Sequence, residues 1–285
     1  MTRRVALIGM PLKRRHSVVM HNAAFDAAGI DARYELMEIE ADAVPGVVAA
    51  ARGPEFLGLG VTAPYKRVVA ELVDEVEGDA QAIGAVNNVV RTDDGRLVGI
   101  NTDAPGFRVG VELAMGRALA DANVVVVGTG GAAHAVVFAC LTAGARAVTI
   151  ANRTASSAAA LAERFAGVGS GARMAFGLRD PAMLHVFAAA DLAVNATTVG
   201  MVDSGMTIPV GELPSTATVF DLVYVPPETD LLRSARARGL RAANGSEMLI
   251  QQAAIAFERW TGIGGMAEVM RTAVQPLLAD ATVIA

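Results

Sequence analysis

From Asn123 to Thr142 the chain reads NVVVVGTGGAAHAVVFACLT. β-Branched valines run into Gly128, Gly130 and Gly131, and helix-forming residues follow. Valine stiffness favours a strand, and the glycines allow the backbone to reverse sharply into a helix. Gly128-Thr-Gly130-Gly131-Ala132-Ala133 therefore fits G-x-G-x-x-G/A between a strand and a helix. At such a turn the backbone can approach a pyrophosphate closely. The helix N-terminus then offers free N–H groups and a partial positive charge to it. Val124 to Ala145 lacks Asp, Glu, Lys and Arg and is long enough to span a bilayer. The early glycines break that span into strand, turn and helix.

Around this motif the elements alternate. VALIGMP, from Val5, predicts a buried strand, and Ser17 to Ala28 a helix stopped at Gly29. ARYELMEIE alternates like a strand, and FLGLGVTAP is a short apolar strand ended by Pro64. Tyr65 to Val76 predicts a helix. NNVVRTDDGRLVGINTD predicts a hairpin turning at Asp94-Gly95. A second unit starts near Pro105 with a linking helix to Ala120. It continues through the strand NVVVVG, the helix AAHAVVFACLTA, the strand AVTIANR and a helix to Phe165, then the strands DLAVNAT and TVFDLVY. This βαβ repetition predicts an α/β fold with a parallel sheet covered on both faces. Ser246 to Thr261 and Val269 to Leu278 predict two closing helices. A length of 285 residues accommodates two domains.

Composition narrows the partners. A net charge of -5 argues against nucleic acid, and the cluster Lys13-Arg14-Arg15 is too short to reverse it. The single cysteine, Cys140, lies in the apolar run AVVFACL. No internal disulfide can form, which fits a reducing, cytoplasmic setting. The opening MTRRVALIGMP reads as a first strand, not a signal peptide. His21 and His185 have no companions at metal-ligand spacing, so no metal site is expected.

The strand after the glycine turn chooses the nucleotide. A carboxylate at its end would bind a ribose 2′-OH and repel a 2′-phosphate. Here the strand ends in Asn152-Arg153-Thr154, and Arg153 can pair with that phosphate. The expected cofactor is NADP.

Further short strings occur in a particular order. GMP is followed by Ser17 and His21-Asn22, then Val61-Thr62-Ala-Pro-Tyr-Lys66, Gly84-Ala-Val-Asn87 and Asn101-Thr-Asp103. GTGGAA, Asn-Arg-Thr, NATTVGM from Asn195 to Met201, DLVY-x-P-x-x-T-x-LL and ML-x-x-Q ending at Gln252 complete the series. From about Val5 to about Trp260 the chain resembles the shikimate/quinate dehydrogenase family. The resemblance implies an N-terminal α/β substrate domain over 1–104, a Rossmann-type NADP domain over 105–244, and C-terminal helices, 245–285, returning to the first. It implies a small cyclic carboxylate substrate and a monomer or homodimer. It makes Lys66 and Asp103 the catalytic pair. Thr62, Asn87 and Gln252 would contact substrate hydroxyls, Ser17 the carboxylate, and Tyr224 the ring and nicotinamide. Gly128, Gly130, Gly131, Ala132, Ala133, Asn152, Arg153 and Thr154 would bind NADP, with Asn195, Thr197 and Met201 in the loop lining it.

The chain departs from the family pattern at a few positions. Arg15-His16-Ser17-Val18 stands where the family usually reads Ser-x-Ser-Pro, so Arg15 becomes a candidate carboxylate ligand. Asn88 replaces a threonine, His134 a basic residue near the pyrophosphate, and Ser157 a second basic residue toward the 2′-phosphate. These changes leave open quinate or an aminoshikimate as substrate, or a non-catalytic NADP-binding sensor. The retained Lys66 and Asp103 favour an enzyme.

Overall fold

The computed structural model describes residues 2–201 and 203–279, which form two compact units. One comprises residues 2–102 with 250–279, so the C-terminal segment rejoins the N-terminal one; the other comprises 103–201 with 203–249. The fold is α/β throughout.

The first unit runs β1 (Arg3–Gly9), α1 (His16–Ala27), β2 (Ala32–Glu38), α2 (Val44–Ala50), β3 (Phe56–Val61), α3 (Lys66–Ala70), β4 (Glu75–Val76), α4 (Gly78–Ile83), β5 (Asn88–Arg91) and β6 (Leu97–Ile100). Its six-stranded sheet has the order β2-β1-β3-β5-β6-β4. β1 pairs in parallel with β2 and β3, whereas β5 is antiparallel to both β3 and β6. The β5–β6 hairpin turns where the Asp94-Gly95 dipeptide predicted, with Gly95 at φ 85°. The helix expected over Tyr65 to Val76 is shorter. It stops after Ala70, and Glu75–Val76 joins the sheet beside β6. Asp74 accounts for the difference, because its carboxylate accepts the Leu97 N–H at 2.7 Å and pairs with Arg52. Those non-local bonds draw the segment out of helical geometry.

The second unit runs α5 (Asp103–Met115), β7 (Asn123–Val127), α6 (Gly131–Thr142), β8 (Ala147–Asn152), α7 (Ala155–Arg164), β9 (Ala172–Gly177), α8 (Ala182–Ala188), β10 (Leu192–Asn195), β11 (Thr218–Asp221), α9 (Asp230–Ala237) and β12 (Arg241–Asn244). α10 (Ser246–Thr261) spans the boundary, and α11 (Ala267–Ala279) follows. The sheet order is β12-β11-β10-β7-β8-β9, with every neighbouring pair parallel. Read from its first strand, this is the 3-2-1-4-5-6 order of a dinucleotide-binding sheet, whose order reverses between β7 and β10. Val125, Val127, Ala193 and Val219 bury one face under α8 and α9. Phe220 points to the other face and meets Phe107 of α5 edge-on at 5.6 Å. The uncharged run from Val124 to Ala145 is β7, a turn and α6. No helix among the described residues is long and apolar enough to cross a membrane.

In the first unit, Phe25 of α1 packs against Phe257 of α10, with ring centroids 5.0 Å apart. Beside them His21 stacks on Tyr34 at 4.4 Å, and Trp260 donates to the Val89 carbonyl at 2.9 Å. Gly58 is required there, because a Cβ would lie 2.0 Å from the Val89 oxygen. His21 is 2% exposed, and burial pushes its pKa from 6.5 down to about 3. The folded chain thus keeps a neutral imidazole where the unfolded chain takes up a proton below pH 6.5. The stabilisation is complete above that pH and is lost as pH falls from 6.5 toward 3. The expected loss is about 1.4 kcal/mol per pH unit in that window. Urea denaturation at stepped pH should show this slope in the wild type and a flatter one in His21→Phe. Equal slopes in the two proteins would remove His21 as the cause.

Candidate functional site

In the second unit the glycine motif sits at the C-terminal end of β7, beside the end of β10. Gly128 adopts φ 116°, and a Cβ there would lie 2.7 Å from the Ala196 carbonyl oxygen. Only glycine lets the two strand ends approach this closely. Gly130 caps α6 without any side-chain acceptor, and a Cβ on Gly130 or Gly131 would meet nothing within 4 Å. The first turn of α6 therefore faces open space with its N–H groups outward. Ala133, the third position of the motif, is fully buried and permits close helix–sheet packing. Ala132 is half-buried in the same turn.

A cavity of about 1120 Å³ opens beside this turn. It is lined by Gly128 and Gly130, by Asn152 at the end of β8 and Arg153 just beyond it, by Arg179 after β9, and by Thr197 after β10. Two large apolar side chains, Leu184 and Met206, are 54% and 53% exposed and line the same cavity. A ligand with a flat apolar face would cover them. Thr154 and Met201 are not among the lining residues; Thr154 caps α7, and Met201 is half-buried in the loop after β10. The residues fit a dinucleotide: an open helix N-terminus for the pyrophosphate, an arginine after the second strand, and no carboxylate at the end of that strand.

Asn195 precedes Ala196 and Thr197, which line the cavity, and is not itself a lining residue. It is 1% exposed, and its amide is used within the protein. Its Oδ1 accepts from the Thr197 N–H at 3.2 Å, the Thr197 hydroxyl at 2.7 Å and the Thr207 hydroxyl at 3.1 Å. Its Nδ2 donates to the Val199 carbonyl at 3.1 Å and to Asp221 Oδ1 at 2.8 Å. Asp221, fully buried, also accepts from the Thr229 hydroxyl at 2.7 Å and the Val223 N–H at 3.0 Å. Burial raises its pKa, and these hydrogen bonds oppose the rise. Asn195 thus holds the loop, with both ends of its amide engaged within the protein. Asp221 was not singled out from the sequence, although its place at the end of a strand in DLVY was the available signal. Tyr224 follows it, half-buried.

In the first unit the polar candidates gather around Thr102, which the sequence reading passed over inside Asn101-Thr-Asp103. Its hydroxyl accepts from Asn87 Nδ2 at 3.1 Å and Asn88 Nδ2 at 2.9 Å, and lies 3.3 Å from Gln252 Oε1. Its N–H donates to Asn87 Oδ1 at 2.8 Å. Asn88 also donates to Asn87 Oδ1 at 3.0 Å, so the asparagine that departs from the family pattern helps hold Asn87 in one amide orientation. Thr62 and Lys66 flank the turn after β3. The Thr62 N–H donates to Ile8 at 2.9 Å, Lys66 opens α3, and the Lys66 carbonyl accepts from Val86 at 2.9 Å. Gly9 is needed beside them, because a Cβ there would come within 2.4 Å of Thr62 Cγ2. Ser17 is half-buried in the first turn of α1, and Arg15 is exposed at its N-cap. Asp103, in the second unit, is the half-buried first residue of α5. Among the described residues no cluster of His, Cys, Asp or Glu could hold a metal.

Comparison with known proteins identifies the family. Models of the shikimate dehydrogenase substrate binding domain, of shikimate/quinate 5-dehydrogenase and of the shikimate 5′-dehydrogenase C-terminal domain match residues 7–89, 112–199 and 245–275. A shikimate dehydrogenase (NADP+) of Carboxydothermus hydrogenoformans is 38% identical over 276 residues, 96% of each chain. The chain belongs to the shikimate/quinate dehydrogenase family. Two solved members extend the likeness to structure. Shikimate 5-dehydrogenase of Thermus thermophilus, in complex with NADP(H) and shikimate, aligns at TM-score 0.84 and 37% identity, covering 96% of this chain and 99% of that one. Quinate dehydrogenase of Corynebacterium glutamicum, in complex with NAD, aligns at 0.89 and 36%, covering 96% and 99%.

The loop held by Asn195 supplies a test within this family member. Asn195→Ala should leave Asp221 buried with one donor fewer, costing about 2–4 kcal/mol of stability. Hydrogen exchange at the Thr197 and Val199 amides should accelerate well beyond the global change. Unchanged exchange at both would show that the loop is held by other contacts.

Proposed function

We propose that this protein is an NADP-dependent dehydrogenase interconverting 3-dehydroshikimate and shikimate. The observation that carries the reading is its likeness, over nearly the whole chain, to NADP-dependent shikimate dehydrogenases. The open helix terminus beside Gly128 and Gly130, and Arg153 at the end of β8, support the cofactor assignment. Bound NADPH supplies a hydride to the ring carbon.

The protein must then deliver a proton to the ketone oxygen and stabilise its developing negative charge. We assign that proton to the Lys66 ammonium, with Asp103 as the second member of the pair. Thr62, Asn87 and Gln252 would read the ring hydroxyls. Asn87 suits the task because Thr102 and Asn88 orient its amide in advance. Ser17 and Arg15 would receive the carboxylate, and Tyr224 the ring beside the nicotinamide. For the cofactor we assign Gly128, Gly130, Gly131, Ala132, Ala133, Asn152, Arg153 and Thr154. Asn195, Thr197 and Met201 belong to the loop beside them, with Asn195 holding its shape. The single cysteine, Cys140, and the net charge of -5 support a cytoplasmic protein that acts on small molecules rather than nucleic acid; as in the family resemblance, we take it to be a monomer or homodimer.

Lys66→Ala should lower kcat by ~10²–10⁴ with NADPH affinity nearly intact, because a proton donor is lost and no cofactor contact is. Asp103→Asn should also slow the chemical step. Near-normal turnover of 3-dehydroshikimate by Lys66→Ala would overturn the assigned mechanism.

A second reading, quinate or an aminoshikimate as the better substrate, rests on Arg15 standing at the N-cap of α1 where the family carries serine. A guanidinium can take a carboxylate in bidentate fashion, more strongly than a neutral hydroxyl. Steady-state kinetics of Arg15→Ser on shikimate, quinate and an aminoshikimate should show a raised KM for the preferred substrate and a changed ranking. An unchanged KM and ranking would leave Ser17 as the sole carboxylate ligand.

A further inference from the structure

Phosphate selectivity at the cofactor cavity raises a question that the family pattern does not answer here. Ser157, half-buried on α7, stands where a second basic side chain is expected, leaving Arg153 alone on that side of the cavity. A phosphomonoester carries about -1.5 to -2 charges at neutral pH, so one guanidinium neutralises it incompletely.

The neighbouring strand supplies a second cation. β8 and β9 pair in parallel, with Asn152 opposite Gly177, and the Leu178 N–H donates to the Asn152 carbonyl at 3.0 Å. The chain leaves the two strands side by side, at the ~4.8 Å spacing of paired strands. Arg153 is the first residue beyond Asn152, and Arg179 is the second beyond Gly177. Both are exposed, and both line the same cavity. Among the described residues neither guanidinium has an ion pair or hydrogen bond. Asp180 and Asp203 also line the cavity, but neither forms an ion pair with Arg179 among the described residues, and the Asp180 carboxylate accepts the Ala182 N–H at 2.9 Å. Two unpaired arginines on adjacent strand ends repel each other unless an anion lies between them.

Resting on the NADP reading above, we propose that Arg179 is a second specificity-determining residue, forming with Arg153 a two-guanidinium clamp on the cofactor's 2′-phosphate. The second charge comes from the loop after β9 instead of from α7. Each planar fork can place two N–H donors on phosphate oxygens, so two forks suit a dianionic group. A neutral ribose 2′-OH would gain little from either.

The test is calorimetric binding of adenosine 2′,5′-bisphosphate and adenosine 5′-monophosphate to the wild type, Arg153→Ala, Arg179→Ala and Arg179→Lys. Arg179→Ala should weaken the bisphosphate about 10- to 100-fold, in the range of a lost hydrogen bond to a charged group, and leave the monophosphate within about twofold. Arg179→Lys should recover part of the loss, since charge is restored without the fork. The salt dependence of bisphosphate binding should also become shallower in Arg179→Ala. If Arg153→Ala weakens the bisphosphate and Arg179→Ala does not, the proposal falls and the NADP reading stands. Equal weakening of both nucleotides by Arg179→Ala also overturns it, because the contact would then not be with the 2′-phosphate. A wild type that does not distinguish the two nucleotides would overturn the NADP reading, and the clamp with it.

Discussion

The hydrogen bond between Asn195 and Asp221 ties together the parts of the second unit that must agree for a nucleotide to bind. It joins the ends of β10 and β11 on one side of the point where the strand order reverses. Through Asn195 it fixes Thr197, Val199 and Thr207 of the following loop. Through Asp221 it reaches Thr229, whose hydroxyl also caps α9 by accepting from Leu232. A fully buried carboxylate is unfavourable by itself, as its raised pKa records. Three donors offset that cost, and each comes from a different stretch of chain. If one element moves, a buried charge loses a donor, so the strand ends, the loop and the helix cap are held as one arrangement.

Polar burial serves a related purpose around Thr102. The adjacent Asn87 and Asn88, Thr102 and Gln252 come from three separate stretches of the sequence, yet one hydroxyl links them all. An asparagine amide can be flipped at little cost in isolation; here the Thr102 N–H requires an oxygen and the Thr102 hydroxyl receives an amine. The direction of the amide is therefore decided by the protein's own hydrogen bonds.

Much of this was readable along the chain. Gly128-Thr-Gly130 between valines and alanines can be little other than strand, tight turn and helix, and the parallel sheet follows from the alternation after it. Asp94-Gly95 specified its hairpin because only a few dipeptides adopt that turn. Where the reading failed, a distant partner was responsible. Leu72 to Val76 has residues that a helix would accept, but Asp74 bonds to Leu97 and Arg52, and Glu75–Val76 pairs with β6. β9 escaped notice because ARMAFG lacks the valine-rich run of a central strand; it lies at the sheet edge, where half-exposed residues suffice. Thr102 and Asp221 escaped because short polar residues at strand ends are common, and local pattern does not say which are buried.

The sequence by itself determined the element types, the glycine turn, the absence of a carboxylate at the end of β8, and the ordered strings that mark the family. These are local properties, set by backbone sterics and by the chemistry of consecutive residues. Only the tertiary structure decided that Asn195 turns inward to Asp221, that Thr102 organises Asn87 and Gln252, and that Arg179 shares a cavity with Arg153. Each depends on which strand lies beside which. That choice is made by burying apolar faces and pairing backbone groups over the whole sheet, so no single stretch of sequence contains it.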